Sequence, residues 1–145
     1  MVKEDVAAMA TYLLGDSPLP PQPLPSPPID GVKLAGGRQS YLAVCAGCHG
    51  LDGEGKPHVA VAMKGNTTLR NADAHNLIVS MLDGIAAQKF PGTDSLQAMP
   101  GFAGTSSDDE LAQLSNYLRA TWSGQPGDVS AEQVKKLREK AERHH

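Results

Sequence analysis

Large side chains are scarce in this chain. Its 145 residues include one Trp, three Tyr and two Phe, and the 40% hydrophobic content comes mostly from Ala, Leu and Val. A domain of about 95 residues sits near the low end of what burial alone stabilises, so the core is short of filling. Cysteine is scarcer, with two residues. A zinc site needs four ligands, with a second Cys or His pair at suitable spacing, and no third cysteine exists to build one. No stretch has the length or apolarity of a membrane span, and the N-terminus lacks the basic-then-apolar pattern of a secretory leader. No basic run lies outside the last helix, and the formal charge of −3 argues against nucleic acid. Proteins are the partners that remain.

The two cysteines fall within Cys45-Ala46-Gly47-Cys48-His49. Cys-x-x-Cys followed at once by His is the attachment signature of a covalent c-type haem. On a helix, Cys45 and Cys48 project from one face, so each sulfur reaches a vinyl group on the same porphyrin edge. His49 is then placed to coordinate the iron. A thioredoxin-like pair expects a βαβ context that is missing, and a plain disulfide is the remaining bland reading of Cys-x-x-Cys. A buried macrocycle also supplies the missing core volume. In bacteria, attachment to this motif is a periplasmic process, so the leaderless chain reads as a processed or excised piece of a longer precursor. His144-His145 is either native or a tag remnant.

Residues Pro18 to Pro28 hold seven prolines in eleven positions. Each proline fixes φ and removes an amide donor, which excludes helix and central strand. At about 3.1 Å per residue a polyproline II spacer of this length spans roughly 35 Å. Before it, Lys3 to Leu14 reads as a short amphipathic helix with Val6, Met9, Ala10 and Leu13 on one side. The same segment matches a later one without a gap. Glu4-Asp5-Val6 and Ala10-Thr11-Tyr12-Leu13 align with Asp109-Glu110-Leu111 and Ser115-Asn116-Tyr117-Leu118. Residues 1–14 are therefore expected to be the last helix of a preceding domain of the same kind, the plain alternative being an N-terminal helix.

The pattern divides the rest into a Pro-rich linker over 15–31, a main domain over 32–125 and a helical tail over 126–145. Leu34 to Cys48 is expected to be helix, with Leu34, Tyr41, Leu42 and Val44 available for burial. A turn-rich loop follows from Gly50 to Pro57, and an irregular stretch to Leu69. Asp73 to Gly84 predicts a helix capped by Asp73, with Leu77, Ile78, Met81 and Leu82 as its stripe. Ile85 to Thr105 reads as a long loop, uncommon unless it has a job. Ser106 or Ser107 starts a further helix, with Asp108, Asp109 and Glu110 complementing its dipole and Leu111, Leu114, Tyr117 and Leu118 facing inward. In the tail, Ser130 with Gln133 makes a capping box, and Val134, Leu137 and Ala141 form a narrow stripe. That tail either docks, on a partner or on its own domain, or frays in solvent.

The long loop contains Met99, in Gln97-Ala98-Met99-Pro100-Gly101-Phe102. A thioether on a bend fixed by Pro100 and Gly101 is a candidate sixth iron ligand, and His with Met leaves no open position for substrate. Among the other methionines, Met81 reads as helix packing, Met63 as a wall of the site, and Met1 and Met9 lie beyond the spacer. His58 and His75 are alternative ligands by residue type but are expected to be exposed. Arg70, Lys64 and Trp122 are candidates to hydrogen-bond a propionate.

From Val32 to Ser123 these residues resemble the class I c-type cytochromes, all-α domains wrapped around one covalent haem. Gly37 and Tyr41 stand eight and four residues before Cys45, where that family's first helix carries a glycine and an aromatic. Leu114, Tyr117 and Leu118 match Leu-x-x-Tyr-Leu of its last helix. The resemblance implies a close crossing of these helices at Gly37 over Tyr117, with Met99 as distal ligand and Tyr41, Pro100 and Phe102 among the cofactor contacts. Many members carry Pro-x-Leu-x-Gly where this chain has Val61-Ala62-Met63-Lys64-Gly65, and the Val61 carbonyl is then the expected acceptor for the proximal histidine's other N–H.

Asn76-Leu77-Ile78, Leu82-Asp83-Gly84-Ile85, the methionine loop and Tyr117-Leu118-Arg119-Ala120-Thr121-Trp122 are similar to haem domains in cytochrome subunits of membrane-associated bacterial dehydrogenases. The resemblance implies a periplasmic electron carrier, not itself an enzyme. Its partners are a dehydrogenase catalytic subunit, other haem domains, and a quinone- or oxidase-side acceptor. The rival classes are an enzyme or gas sensor with an open or bis-histidine iron, and a docking module with the haem as filler.

Overall fold

Helix α2 (Gly31–Val44) opens the main domain and buries Leu34, Gly37 and Tyr41, a stripe at helical spacing. The structure is a computed structural model that describes residues 2–14, 31–92 and 94–143. The expected polyproline spacer and the terminal histidine pair lie outside the described residues. Helix α1 (Lys3–Leu14) forms where the sequence predicts it, with Val6, Met9 and Tyr12 exposed.

The first long helix does not run unbroken into Cys48. It ends at Val44, Cys45 makes a turn, and α3 (Ala46–His49) follows. The amide of Cys45 still donates to Tyr41 O at 2.9 Å and that of His49 to Cys45 O at 2.9 Å, so the helical path continues through the turn. Leu42 stays exposed, contrary to expectation, because the buried stripe of α2 passes through Tyr41 and leaves it on the flank, while Val44 lines the cavity that Cys45 and Cys48 border.

Opposite α2 stands α6 (Asp108–Trp122). Its N-terminus carries a complete capping box between Ser107 and Glu110. Leu111, Leu114, Tyr117 and Leu118 are buried. At the crossing, a Cβ on Gly37 would lie 2.2 Å from Gln113 O and 2.6 Å from Cβ of Tyr117, so only glycine lets the backbones meet.

Between these helices the chain wraps irregularly. A short helix, α4 (Thr67–Arg70), which the sequence pattern did not predict, is capped by Asn66. Helix α5 (His75–Asp83) starts two residues later than expected, although Asp73 does accept the His75 amide at 2.9 Å. Its stripe of Leu77, Ile78, Met81 and Leu82 is buried as predicted.

The segment from Ile85 to Thr105 is not structureless. Strands β1 (Gln88–Lys89) and β2 (Ser95–Leu96) pair antiparallel, and Ile85 pairs with Met99. Backbone hydrogen bonds in this hairpin take the place of side-chain periodicity, which is why the pattern looked like loop. Finally α7 (Ala131–Glu142) lies against α5 and α6 with Val134 fully buried, so the tail docks on its own domain. Among the described residues, no helix is long and apolar enough to cross a membrane.

Candidate functional site

Cys45, Cys48, His49 and Met99 meet at one cavity of about 240 Å³, whose walls are almost wholly apolar. The turn at Cys45 and helix α3 supply the first three and the 96–102 segment the last. Leu69, Leu77, Met81 and Leu118 contribute from α4, α5 and α6, and Pro100 and Phe102 line the same space. Met63 is a wall residue, as expected. Met81 also lines the cavity, with Leu77 and Ser80 of the same helix, and is not helix packing alone.

His49 is buried, and its Nδ1 lies 2.8 Å from Val61 O. A carbonyl only accepts, so Nδ1 carries the proton and Nε2 keeps its lone pair for a metal. The carbonyl expected from sequence to orient this ring is therefore in place without the family's usual proline. Gly55 N donates to His49 O at 2.7 Å and Met63 N to Gly53 O at 2.8 Å, which pins the loop carrying Val61 beneath α3.

Met99 is half-buried, and both of its backbone groups are used. Its amide donates to Ile85 O at 2.8 Å and its carbonyl accepts from the Ile85 amide at 2.9 Å. Ile85 follows Gly84, which ends α5 at φ 76°, and a Cβ on Gly84 would lie 2.5 Å from Met99 O. A left-handed residue with no side chain is therefore needed for α5 and the methionine segment to touch.

Cys45 is half-buried and Cys48 exposed. Burial, and secondarily the charge of Cys48, pushes the Cys45 thiol up to about 11. Tyr41 does not line the cavity. It is fully buried beside Tyr117 and Trp122, with ring centroids 5.7 and 4.9 Å away, and its hydroxyl donates to Gly50 O just after His49. It thereby holds the end of α3 from behind.

Burial, then the charge of Cys45, raises the Tyr41 phenol to about 12. An unfolded tyrosine ionises near pH 10. The folded state thus gains from Tyr41 below about pH 10 and loses that gain as pH climbs toward 12. Tyr41→Phe removes one of two donors to Gly50 O, the Gly53 amide at 3.2 Å remaining, and is expected to lower stability by about 1 kcal/mol at neutral pH. It should also flatten the alkaline loss, and urea unfolding midpoints at pH 7, 10 and 11.5 check both effects.

Arg70, Lys64 and Trp122 are not among the residues lining the cavity. His58 and His75 are exposed as expected, with His58 paired to Asp94. Sequence reading missed Arg119, which is 2% exposed and donates to Asn71 O at 2.8 Å and Ala72 O at 3.0 Å. It ties α6 to the turn before α5, and its place one residue after Leu118 on the buried face was the available signal. Asn116 was missed too. Its side chain brackets Val129, accepting from the amide at 2.8 Å and donating to the carbonyl at 3.0 Å.

A family model for cytochrome c matches residues 34–122. The chain is 29% identical over 146 residues to the cytochrome c subunit of a quinone-type alcohol dehydrogenase from Gluconacetobacter polyoxogenes, an alignment covering 94% of this chain and 31% of that one. It is 35% identical over 103 residues to the corresponding subunit of Gluconobacter oxydans, covering 70% and 22%. To the fructose dehydrogenase cytochrome subunit of Gluconobacter japonicus it is 33% identical over 113 residues, covering 73% and 22%. The chain thus spans less than a third of the length of each of these relatives.

Proposed function

Because the chain belongs to the cytochrome c family, we propose that it is a haem c electron-transfer domain of a dehydrogenase cytochrome subunit. It carries one haem, attached at Cys45 and Cys48, with His49 and Met99 as axial ligands. Bound there, the haem supplies a one-electron carrier whose potential the axial residues set. The observation that carries this reading is the convergence of both cysteines, His49 and Met99 on one apolar cavity.

The chain's own groups then have defined tasks. Val61 O fixes the His49 tautomer and makes the ring a better donor to a metal. The paired backbone of Ile85 and Met99 holds the distal thioether at the cavity wall. Two axial side chains leave no open position, which supports electron transfer over catalysis at the iron. The exposed Cys48 marks the edge through which partners couple.

Likeness to dehydrogenase cytochrome subunits supports a periplasmic setting, a dehydrogenase catalytic subunit or neighbouring haem domain as donor, and a quinone- or oxidase-side acceptor. Helix α1 supports a string of such domains. Its exposed Val6, Met9 and Tyr12 stand at the positions of Leu111, Leu114 and Tyr117, which are buried in α6.

The test is the optical spectrum of the ferric haem-loaded protein. The far-red band given by methionine–iron ligation is expected in the parent and absent in Met99→Ala, whose potential should fall by on the order of 0.1 V. Carbon monoxide should bind the ferrous variant rapidly and the parent slowly. Rapid binding to the parent would favour an open-site enzyme or gas sensor.

A further inference from the structure

The segment from Met99 to Ser106 is held from two sides. Toward the core, the Phe102 amide donates to Met81 O at 2.8 Å and the Ala103 amide to Leu82 O at 3.3 Å, the free carbonyls at the end of α5. On the outside, the Arg138 guanidinium donates to Ala103 O and, at 2.8 Å, to Ser106 O. Its Nε donates at 2.9 Å to Asp108, the first residue of α6. Arg138 comes from α7, which lies beyond the 34–122 family match.

This grip is built, not incidental. The Arg138 side chain is 18% exposed and that of Asp108 30%. Val134, one turn earlier on the same face of α7, is fully buried, and the linker before α7 is held through Val129 by Asn116. A guanidinium offers its donors in one rigid plane, so a single side chain fastens two loop carbonyls and a helix start together. Loop segments open locally at low free energy unless something fastens them. Outward movement of the backbone that carries position 99 pulls against α5 on one side and Arg138 on the other.

We propose that Arg138 is a positioning residue for the methionine segment, bracing 99–106 from outside so that the Met99 thioether resists displacement. The inference rests on ligation by Met99. Arg138 acts through the backbone of Ala103 and Ser106 and touches no reacting atom. Helix α7 is thereby a functional part of the redox domain and not an appendage.

The experiment titrates imidazole into the ferric haem-loaded protein and follows loss of the far-red methionine band. Arg138→Ala is expected to reach half-displacement at about tenfold lower imidazole, the scale of one lost charge-assisted hydrogen-bond set. Arg138→Lys, a point charge without the fork, should fall between variant and parent, and Lys140→Ala on exposed α7 surface should match the parent. Amide exchange at Phe102, Ala103 and Ser106 should quicken in Arg138→Ala while that of Ile78 and Leu82 holds.

An Arg138→Ala protein that titrates like the parent, or a Lys140→Ala protein that shifts as far, overturns the brace. A parent lacking the band overturns Met99 ligation and this inference with it. If Arg138→Ala yields no folded haem-loaded protein, Arg138→Lys decides in its place: displacement at lower imidazole supports the brace and a parental titration overturns it.

Discussion

Without its prosthetic group, produced as Cys45→Ser with Cys48→Ser, this domain is expected to lose its fixed tertiary packing while keeping part of its helix. The cavity the two cysteines border is about 240 Å³ with apolar walls. Left unfilled, these walls are wetted by solvent, and the burial they gain against a macrocycle, about 25 cal/mol per Å² of apolar surface, is lost. Small domains hold only about 5–15 kcal/mol in total, and this one is poor in large side chains. Tyr41, Tyr117 and Trp122 form a contiguous ring cluster behind His49, so their near-ultraviolet circular dichroism reports the packing directly. That signal should collapse while the far-ultraviolet helical signal is partly retained, and urea unfolding should lose its cooperativity. A variant with the parental near-ultraviolet spectrum and a sharp urea transition would show that the walls close over the space.

The second large effect is expected at the crossing of α2 and α6. Gly37→Leu puts a Cβ where Gln113 O and Cβ of Tyr117 already lie, at 2.2 and 2.6 Å. Backbone cannot give way as a flexible side chain can, so the helices must separate. Overpacking alone costs about 1–3 kcal/mol, and separation also loosens buried Tyr41 and Tyr117, so about 3 kcal/mol or more is expected. Because Tyr41 holds Gly50 at the end of α3, the damage should reach the haem-attachment segment. Urea unfolding of the haem-loaded variant, with its far-red band recorded alongside, measures both. An unchanged midpoint would show that the crossing tolerates a wider gap.

Both expectations start from residues that stand out in the sequence, and their legibility has a common cause. Cys45, Cys48 and His49 sit within one helical turn and a residue, so spacing alone carries their chemistry. Ser107 with Glu110 and the stripe from Leu77 to Leu82 are equally local, and each falls where the pattern puts it. Gly37 is a longer reach, legible only through resemblance to a known helix crossing. The hairpin of β1 and β2 went unread because two-residue strands leave no alternation to detect. Leu42 departs from its expected burial because an apolar residue on a helix is not thereby on its buried face. Whether the narrow stripe of α7 docks or frays was open in the sequence, and contacts with α5 and α6 decide it.

The family and the longer helices are thus legible in the sequence, since each is written within a few residues or within one helical period. It takes the tertiary fold to show that Met81 faces the cavity, that Arg119 is buried beneath the turn before α5, and that Arg138 grips the methionine segment. Arg138 and Ala103 are 35 residues apart, and Arg119 and Asn71 are 48. Over such distances a guanidinium and its carbonyl partners leave no local mark, because any backbone carbonyl is an equal acceptor until the fold brings one within reach.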